Sequence, residues 1–195
     1  MITAMGDVMR EAYKRGWITT RDGNISLRRK SSDIMYITPS GWRKTIIHPE
    51  HMVKVKLIPS GFEMITKHAK PSGELSMHGF LQRSHNKTKA IVHLHPTYCT
   101  AAMYRGWQLY DIVKDFPEVF RYTKVGPNVP RLKATSHELA QATFEAMTDS
   151  DTNKIAYDIV GQECHGVTAI AKNPWDAFEH IERVEHICKI VLAAS

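Results

Sequence analysis

Three cysteines in 195 residues, Cys99, Cys164 and Cys188, are too few and too scattered to form a disulfide framework. They are read as reduced thiols, and the expected address is the cytoplasm. No apolar run is long enough to cross a bilayer, and the chain does not begin with a charged segment followed by an apolar core. A membrane is therefore not expected as a partner. The pattern G-x-G-x-x-G does not occur, which argues against a dinucleotide-binding fold. Nor does any internal repeat or low-complexity linker divide the chain. Residues 1–195 are expected to form a single domain, long enough to bury a core without cross-links.

Charge of one sign does prevail, with 26 Lys and Arg against 20 Asp and Glu. A net charge of +6 raises nucleic acid as a partner, but the basic residues are dispersed. Their densest cluster, Arg28–Lys30, falls in an expected hairpin turn and has no interleaved aromatics to stack on bases. Nucleic acid is therefore not expected. A modest positive field suits a small anionic substrate equally well.

Met5, Val8, Met9, Ala12 and Tyr13 recur at helical spacing, so the chain is expected to open with an amphipathic helix. Gly23–Arg28 and Ile34–Gly41 read as strands around the polar turn RRKSSD. Met52–Leu57 alternates as a further strand, and Gly61–Thr66 is expected to pair with it across the turn PSG. The stretch KPSGELSMHGFLQRSH reads as a helix with Ser72 as N-cap and Leu75, His78 and Leu81 on one face. KAIVHLH follows as a buried strand, and His137–Thr148 as a helix with Leu139, Ala142, Thr143 and Ala146 inward. IAYDIVGQECHGVTAIA gives two strands with a turn near Gly161–Glu163. A long closing helix is capped by Asn173, with Pro174 at its first position and Phe178, Ile181, Val184, Cys188 and Val191 as its apolar stripe. Helices flanking mainly hairpin-type strands make a layered α/β protein.

The segment AIVHLHPT carries the chemistry. Residues i and i+2 of a strand share a face, so His93 and His95 project together and could share one metal. Eleven histidines would by chance give roughly 0.6 H-x-H pairs, so the pair alone decides nothing. Its setting adds more. Two imidazoles at the end of an apolar strand need partners, and a metal satisfies both. His165, in ECHGVT, offers a third ligand at a strand-turn-strand junction, and Glu74 offers a carboxylate. Cys164 competes as a ligand but would face the other way on a strand. Glu74 could equally be an acid favoured by a helix N-terminus, and His165 an ordinary turn histidine. His78, one turn after Glu74, is read as a partner in the layer behind the site or as a plain helix-face residue.

Five pieces in order, GNIS, ITPSG, KPSGELSMH, AIVHLHPTYCTA and CHGV, with DAFEHIERVE in the last helix, resemble the class II aldolase/adducin family. The resemblance implies a three-layer α/β/α fold with a largely antiparallel central sheet, assembled as a ring-like homotetramer with active sites at subunit interfaces. It implies zinc, or another divalent ion, held by His93, His95 and His165, with Glu74 as the carboxylate that moves the proton. It further implies a site for substrate phosphate at Gly23–Asn24, Ser40–Gly41 and Ser72–Gly73. Glycine lets backbone N–H groups approach an anion closely there, although G-N and P-S-G are also ordinary turn sequences. The implied activity is a lyase that makes or breaks a carbon–carbon bond in a small phosphorylated sugar through an enediolate. Epimerase, decarboxylase, dehydratase and non-catalytic assembly functions occupy the same scaffold. The chain departs from the aldolase pattern in carrying Ser72–Gly73 in place of two serines. Arg131 stands where a tyrosine is expected, and no C-terminal tail brings a second. Arg131 could bind a substrate carboxylate or phosphate, or pair with an acid on the surface.

Overall fold

The structure, a computed structural model, describes residues 1–84, 89–152 and 154–195. Seven strands form one sheet: β1 (Asn24–Arg28), β2 (Ile34–Ile37), β3 (Val53–Ile58), β4 (Gly61–Met64), β5 (Lys89–Leu94), β6 (Ile159–Gln162) and β7 (Gly166–Ala171). Their order is β4-β3-β2-β1-β5-β7-β6, and every pair is antiparallel. Side-chain alternation sorts the faces. In β5, Ala90, Val92 and Leu94 join one apolar cluster while Ile91 joins another on the opposite side.

The first cluster is covered by α1 (Ile2–Lys14), α3 (Thr97–Tyr104), α4 (Leu109–Val113) and α7 (Pro174–Ala194). Helix α1 presents Met5, Val8, Met9 and Ala12 to it, whereas Tyr13 is exposed, contrary to the expected stripe. The second cluster is covered by α2 (Leu75–Arg83) and α6 (His137–Met147) through Met77, Leu81, Leu139 and Met147. Helices thus lie on both sides of an antiparallel sheet, the three-layer arrangement expected. A short helix, α5 (Pro117–Tyr122), precedes the loop to α6. Among the described residues no helix is long and apolar enough to cross a membrane.

Several boundaries differ from the sequence reading. Strand β2 stops at Ile37 because Pro39 has no N–H for a ladder; it makes one isolated bridge with Pro71 instead. Strand β4 stops at Met64. The hairpin turn between β6 and β7 falls at Glu163–His165, two residues later than expected, so His165 and Cys164 stand in the turn itself. Helix α2 begins at Leu75, and Ser72 is not its cap; the Ser72 hydroxyl accepts from the Glu74 N–H at 3.3 Å in the turn before it. His85, at the end of the stretch read as this helix, lies outside the described residues. On α6, Leu139, Ala140, Thr143 and Met147 are buried, while Ala142 and Ala146 lie at the margin. The cap at Asn173 is as expected, accepting from Asp176 N at 2.9 Å.

One buried carboxylate ties α7 to the helix that follows the histidines. Glu185 accepts from the N–H groups of Tyr98 at 3.0 Å and Cys99 at 2.7 Å, satisfying the first turn of α3 just after His95-Pro96. Replacing Glu185 by Leu orphans both donors. We expect Glu185→Leu to lose about 2 kcal/mol or more of stability in urea unfolding. A loss under about 0.5 kcal/mol would contradict this role.

Candidate metal centre

The site forms at one end of β5, where register decides which side chains meet. Asn24 of β1 pairs with His93, and His93 pairs with Thr168 of β7. His93 therefore points to the α2/α6 face with polar residues on both flanks. Its Nδ1 lies 3.1 Å from Thr168 Oγ1, which leaves Nε2 aimed along the sheet end. His95 follows just beyond the strand, its backbone N–H donating to Trp17 O at 3.0 Å. His165 arrives from the β6–β7 turn.

The next residue must be glycine: a Cβ on Gly166 would lie 2.3 Å from Leu94 O and 2.7 Å from His95 Cδ2. Gly23 is constrained in the same way on the other flank, with φ +67° and a would-be Cβ 2.7 Å from Ile18 Cγ2.

The three imidazoles converge. Their nearest ligand nitrogens all lie within 4.8 Å of one another, and the ring centroids are 4.7–5.0 Å apart. His93 Nε2 and His95 Nε2 are 3.0 Å apart, and His165 Nδ1 is buried with no hydrogen-bond partner among the described residues. Burial drives all three pKa values down: His93 far below the usual range, His95 to about 4, and His165 downward against the nearby Asp22 carboxylate. Neutral imidazoles with lone pairs facing one another are a donor set for a cation. The residues present fit a divalent ion.

Glu74 lies on the same cavity wall, 6% exposed. It is the residue at the start of α2, but its side chain turns away from the helix. Oε1 accepts from Thr135 N at 3.0 Å, and Oε2 is buried with no partner among the described residues. Burial raises its pKa, partly opposed by the Thr135 N–H. Thr135 reaches this position in the left-handed region, φ +64°, where a threonine is strained by about 1 kcal/mol or more. Its role was not legible in the sequence, since nothing marks a threonine that must adopt positive φ.

The cavity holds about 210 Å³ and is lined by Gly23, Asn24, Ser40, Gly41, Ser72 and Gly73 as well as Glu74 and the three histidines. The ten residues assigned from the sequence to the metal, the proton transfer and the phosphate therefore meet in one hollow. The backbone donors differ from expectation. Ser40 N donates to Lys70 O and Ser72 N to Thr38 O, both at 2.9 Å, so these two N–H groups are taken up in joining the loops. The N–H groups of Gly41 and Gly73 remain without a partner among the described residues.

Behind the cavity, His78 is fully buried, with Nε2 2.5 Å from Asn24 Oδ1 and Nδ1 2.7 Å from Ser26 Oγ. Asn24 thus accepts from His78, which leaves its amide N–H groups toward the cavity. Lys44, not singled out from the sequence, is also buried here. Its ammonium donates to Arg21 O at 2.9 Å and Trp42 O at 3.0 Å, tying two walls together, and burial lowers its pKa to about 8.

Residues 3–192 match the family described as the class II aldolase and adducin N-terminal domain, so the chain belongs to that family. It is 32% identical over 172 residues to the 5-deoxy-D-ribulose 1-phosphate aldolase of Bacillus thuringiensis, covering 86% of this chain and 73% of the relative. It is 33% identical over 184 residues to the 3-oxo-tetronate 4-phosphate decarboxylase of Pectobacterium atrosepticum, covering 92% of this chain and 78% of the relative. The crystal structure of L-fuculose-1-phosphate aldolase from Thermus thermophilus superposes with a TM-score of 0.79 at 23% identity, over 98% of this chain and 92% of that one.

The depressed histidines set a pH dependence. The pKa of His78 is lowered to about 3 and that of His95 to about 4, from 6.5, so below pH 6.5 the unfolded chain binds more protons than the folded one. Stability of the metal-free protein is expected to fall as pH drops from 6.5 towards 4. The urea midpoint should decline less steeply with pH in His78→Gln, by up to about one proton's worth. Equal slopes in the two proteins would show that His78 is not held neutral.

Proposed function

We propose that the chain is a divalent-metal-dependent lyase of the class II aldolase type, with zinc as the metal. In this reading it makes or breaks a carbon–carbon bond in a small phosphorylated sugar-type substrate. The observation that carries the proposal is the meeting of three neutral imidazoles and the unpartnered Glu74 Oε2 on one cavity wall. His93, His95 and His165 would hold the ion, which when bound supplies a Lewis acid for the adjacent oxygens of an enediolate.

The protein's own groups do the rest. The Gly41 and Gly73 N–H groups, the Ser40 hydroxyl and the Asn24 amide bind and orient the phosphate, while Lys44 holds the loops that carry them. Glu74 Oε2 moves the proton. After bond cleavage it delivers a proton to the carbon of the three-carbon enediolate, and in the synthetic direction it removes that proton. Thr135 N–H fixes Oε1 so that only Oε2 is free to exchange. Burial raises the pKa of Glu74 above the usual carboxylate value, which favours its acid form and suits a group that alternates between acid and base.

A decarboxylase is the second reading, because loss of carbon dioxide leaves the same enediolate for Glu74 to protonate. Two observations favour keeping it: the 33% identical relative is a decarboxylase, and Arg131 replaces the expected tyrosine. Epimerase and dehydratase activities share the half-reaction but have no observation of their own here. A non-catalytic assembly module, as in adducin, needs neither the convergent histidines nor Glu74. A homotetramer, on the strength of the family resemblance, and a cytoplasmic address, from cysteines read as reduced thiols, complete the proposal.

The shared half-reaction can be followed without knowing the full substrate. Zinc-supplied protein should exchange a carbon-bound proton of dihydroxyacetone phosphate with heavy water, followed by proton NMR. Glu74→Gln should keep its metal and exchange about 10²–10⁴-fold more slowly. Equal exchange in that variant would remove Glu74 from the mechanism.

A further inference from the structure

A second hollow, about 710 Å³, adjoins the first. It is lined by Thr97, Thr100 and Tyr104 of α3, by Arg105 and Arg131, and by His95 and Cys164. His95 lines both hollows, and Cys164 precedes His165, which lines the inner one. A molecule held beside His95 with its phosphate in the inner hollow has this outer hollow open to its other end.

Arg131 is delivered there by fixed backbone. Val129 N donates to Gly161 O at 2.8 Å, and Glu163 N donates to Val129 O at 3.0 Å, so the loop is clamped to the end of β6 beside the histidine turn. Six residues on, Thr135 N binds Glu74. The stretch between these anchors spans the site from one hollow to the other. Arg131 is exposed on it and makes no hydrogen bond or ion pair among the described residues. Arg105, across the hollow, donates to Ser195 Oγ at 3.1 Å and lies over the Trp107 ring. No carboxylate lines this hollow, so both guanidinium charges there are unbalanced.

We propose that Arg131 is a specificity-determining residue that receives a carboxylate at the end of the substrate distant from its phosphate. The inference rests on the lyase reading above and narrows its substrate class to phosphorylated sugar acids. A planar guanidinium presents a two-pronged donor fork that matches a carboxylate. The inner hollow, by contrast, offers backbone N–H groups beside glycines, the surroundings a phosphate takes. Two different anion sites on either side of one histidine cluster select a chain with two different anionic ends.

The test compares binding of two four-carbon probes by calorimetry with zinc-supplied protein. Erythronate 4-phosphate carries both anions; erythritol 4-phosphate has an alcohol in place of the carboxylate. The native chain should bind the acid about 10–100-fold more tightly. Arg131→Gln should reduce that preference to under about 3-fold while leaving erythritol 4-phosphate unchanged, and Arg131→Lys should restore part of it. A native chain without preference, or a preference that survives in Arg131→Gln, overturns the proposal while leaving the lyase reading in place. Binding of neither probe overturns both, because the phosphate cradle itself then fails.

Discussion

The candidate site depends on keeping three imidazoles, one buried and two partly buried, neutral beside one another. His93 Nε2 and His95 Nε2 have only one another, His165 Nδ1 has no hydrogen-bond partner among the described residues, and burial depresses all three pKa values. Such an arrangement is unfavourable in itself and persists only because the surroundings over-determine it. The β1–β5–β7 register sets His93 between Asn24 and Thr168, Trp17 O holds the backbone of His95, and the glycine after His165 lets the turn press against Leu94. In the proposed reading, a cation held by the three imidazoles would give their inward nitrogens a common partner.

The proton behaviour of the site follows from the same burial acting on opposite charge types. Desolvation disfavours the charged form of every group, so it lowers the histidines and raises Glu74. Without ligands the histidine and Glu74 wall of the inner hollow is therefore poor in charge, while Arg21, Asp22 and Lys44 line the rest. In the proposed reading, a divalent ion and an anionic substrate entering together would neutralise one another there. Lys44 adds a cation behind the loops, weakened by burial but anchored to two carbonyls. The net charge of +6 is consistent with attracting such a substrate from a distance.

Much of this was legible in the sequence, for identifiable reasons. Strand β3 alternates buried Val53 and Val55 with exposed Lys54 and Lys56, a period that admits one face inward. Helix α7 carries its own cap and an initial proline. Strand alternation put His93 and His95 on one face, although β5 ends at Leu94 and His95 lies just beyond it, whereas His165 and Glu74 were candidates by their setting that the family motifs then joined into one site. The region from Thr97 to Tyr122 was not assigned, because its three helices are 5–8 residues long and owe their existence to packing and to caps such as Glu185. The burial of Lys44, the positive φ of Thr135 and the loss of the Ser40 and Ser72 N–H groups to loop pairing are tertiary facts. No local pattern encodes them.

The central claim is that the convergent imidazoles are ligands. The most direct measurement is metal content per chain by mass spectrometry of untagged protein incubated with zinc and then desalted, native against His93→Ala/His95→Ala. The account predicts about one divalent ion per native chain and essentially none in the variant. No metal on the native chain, or equal metal on both, would contradict it.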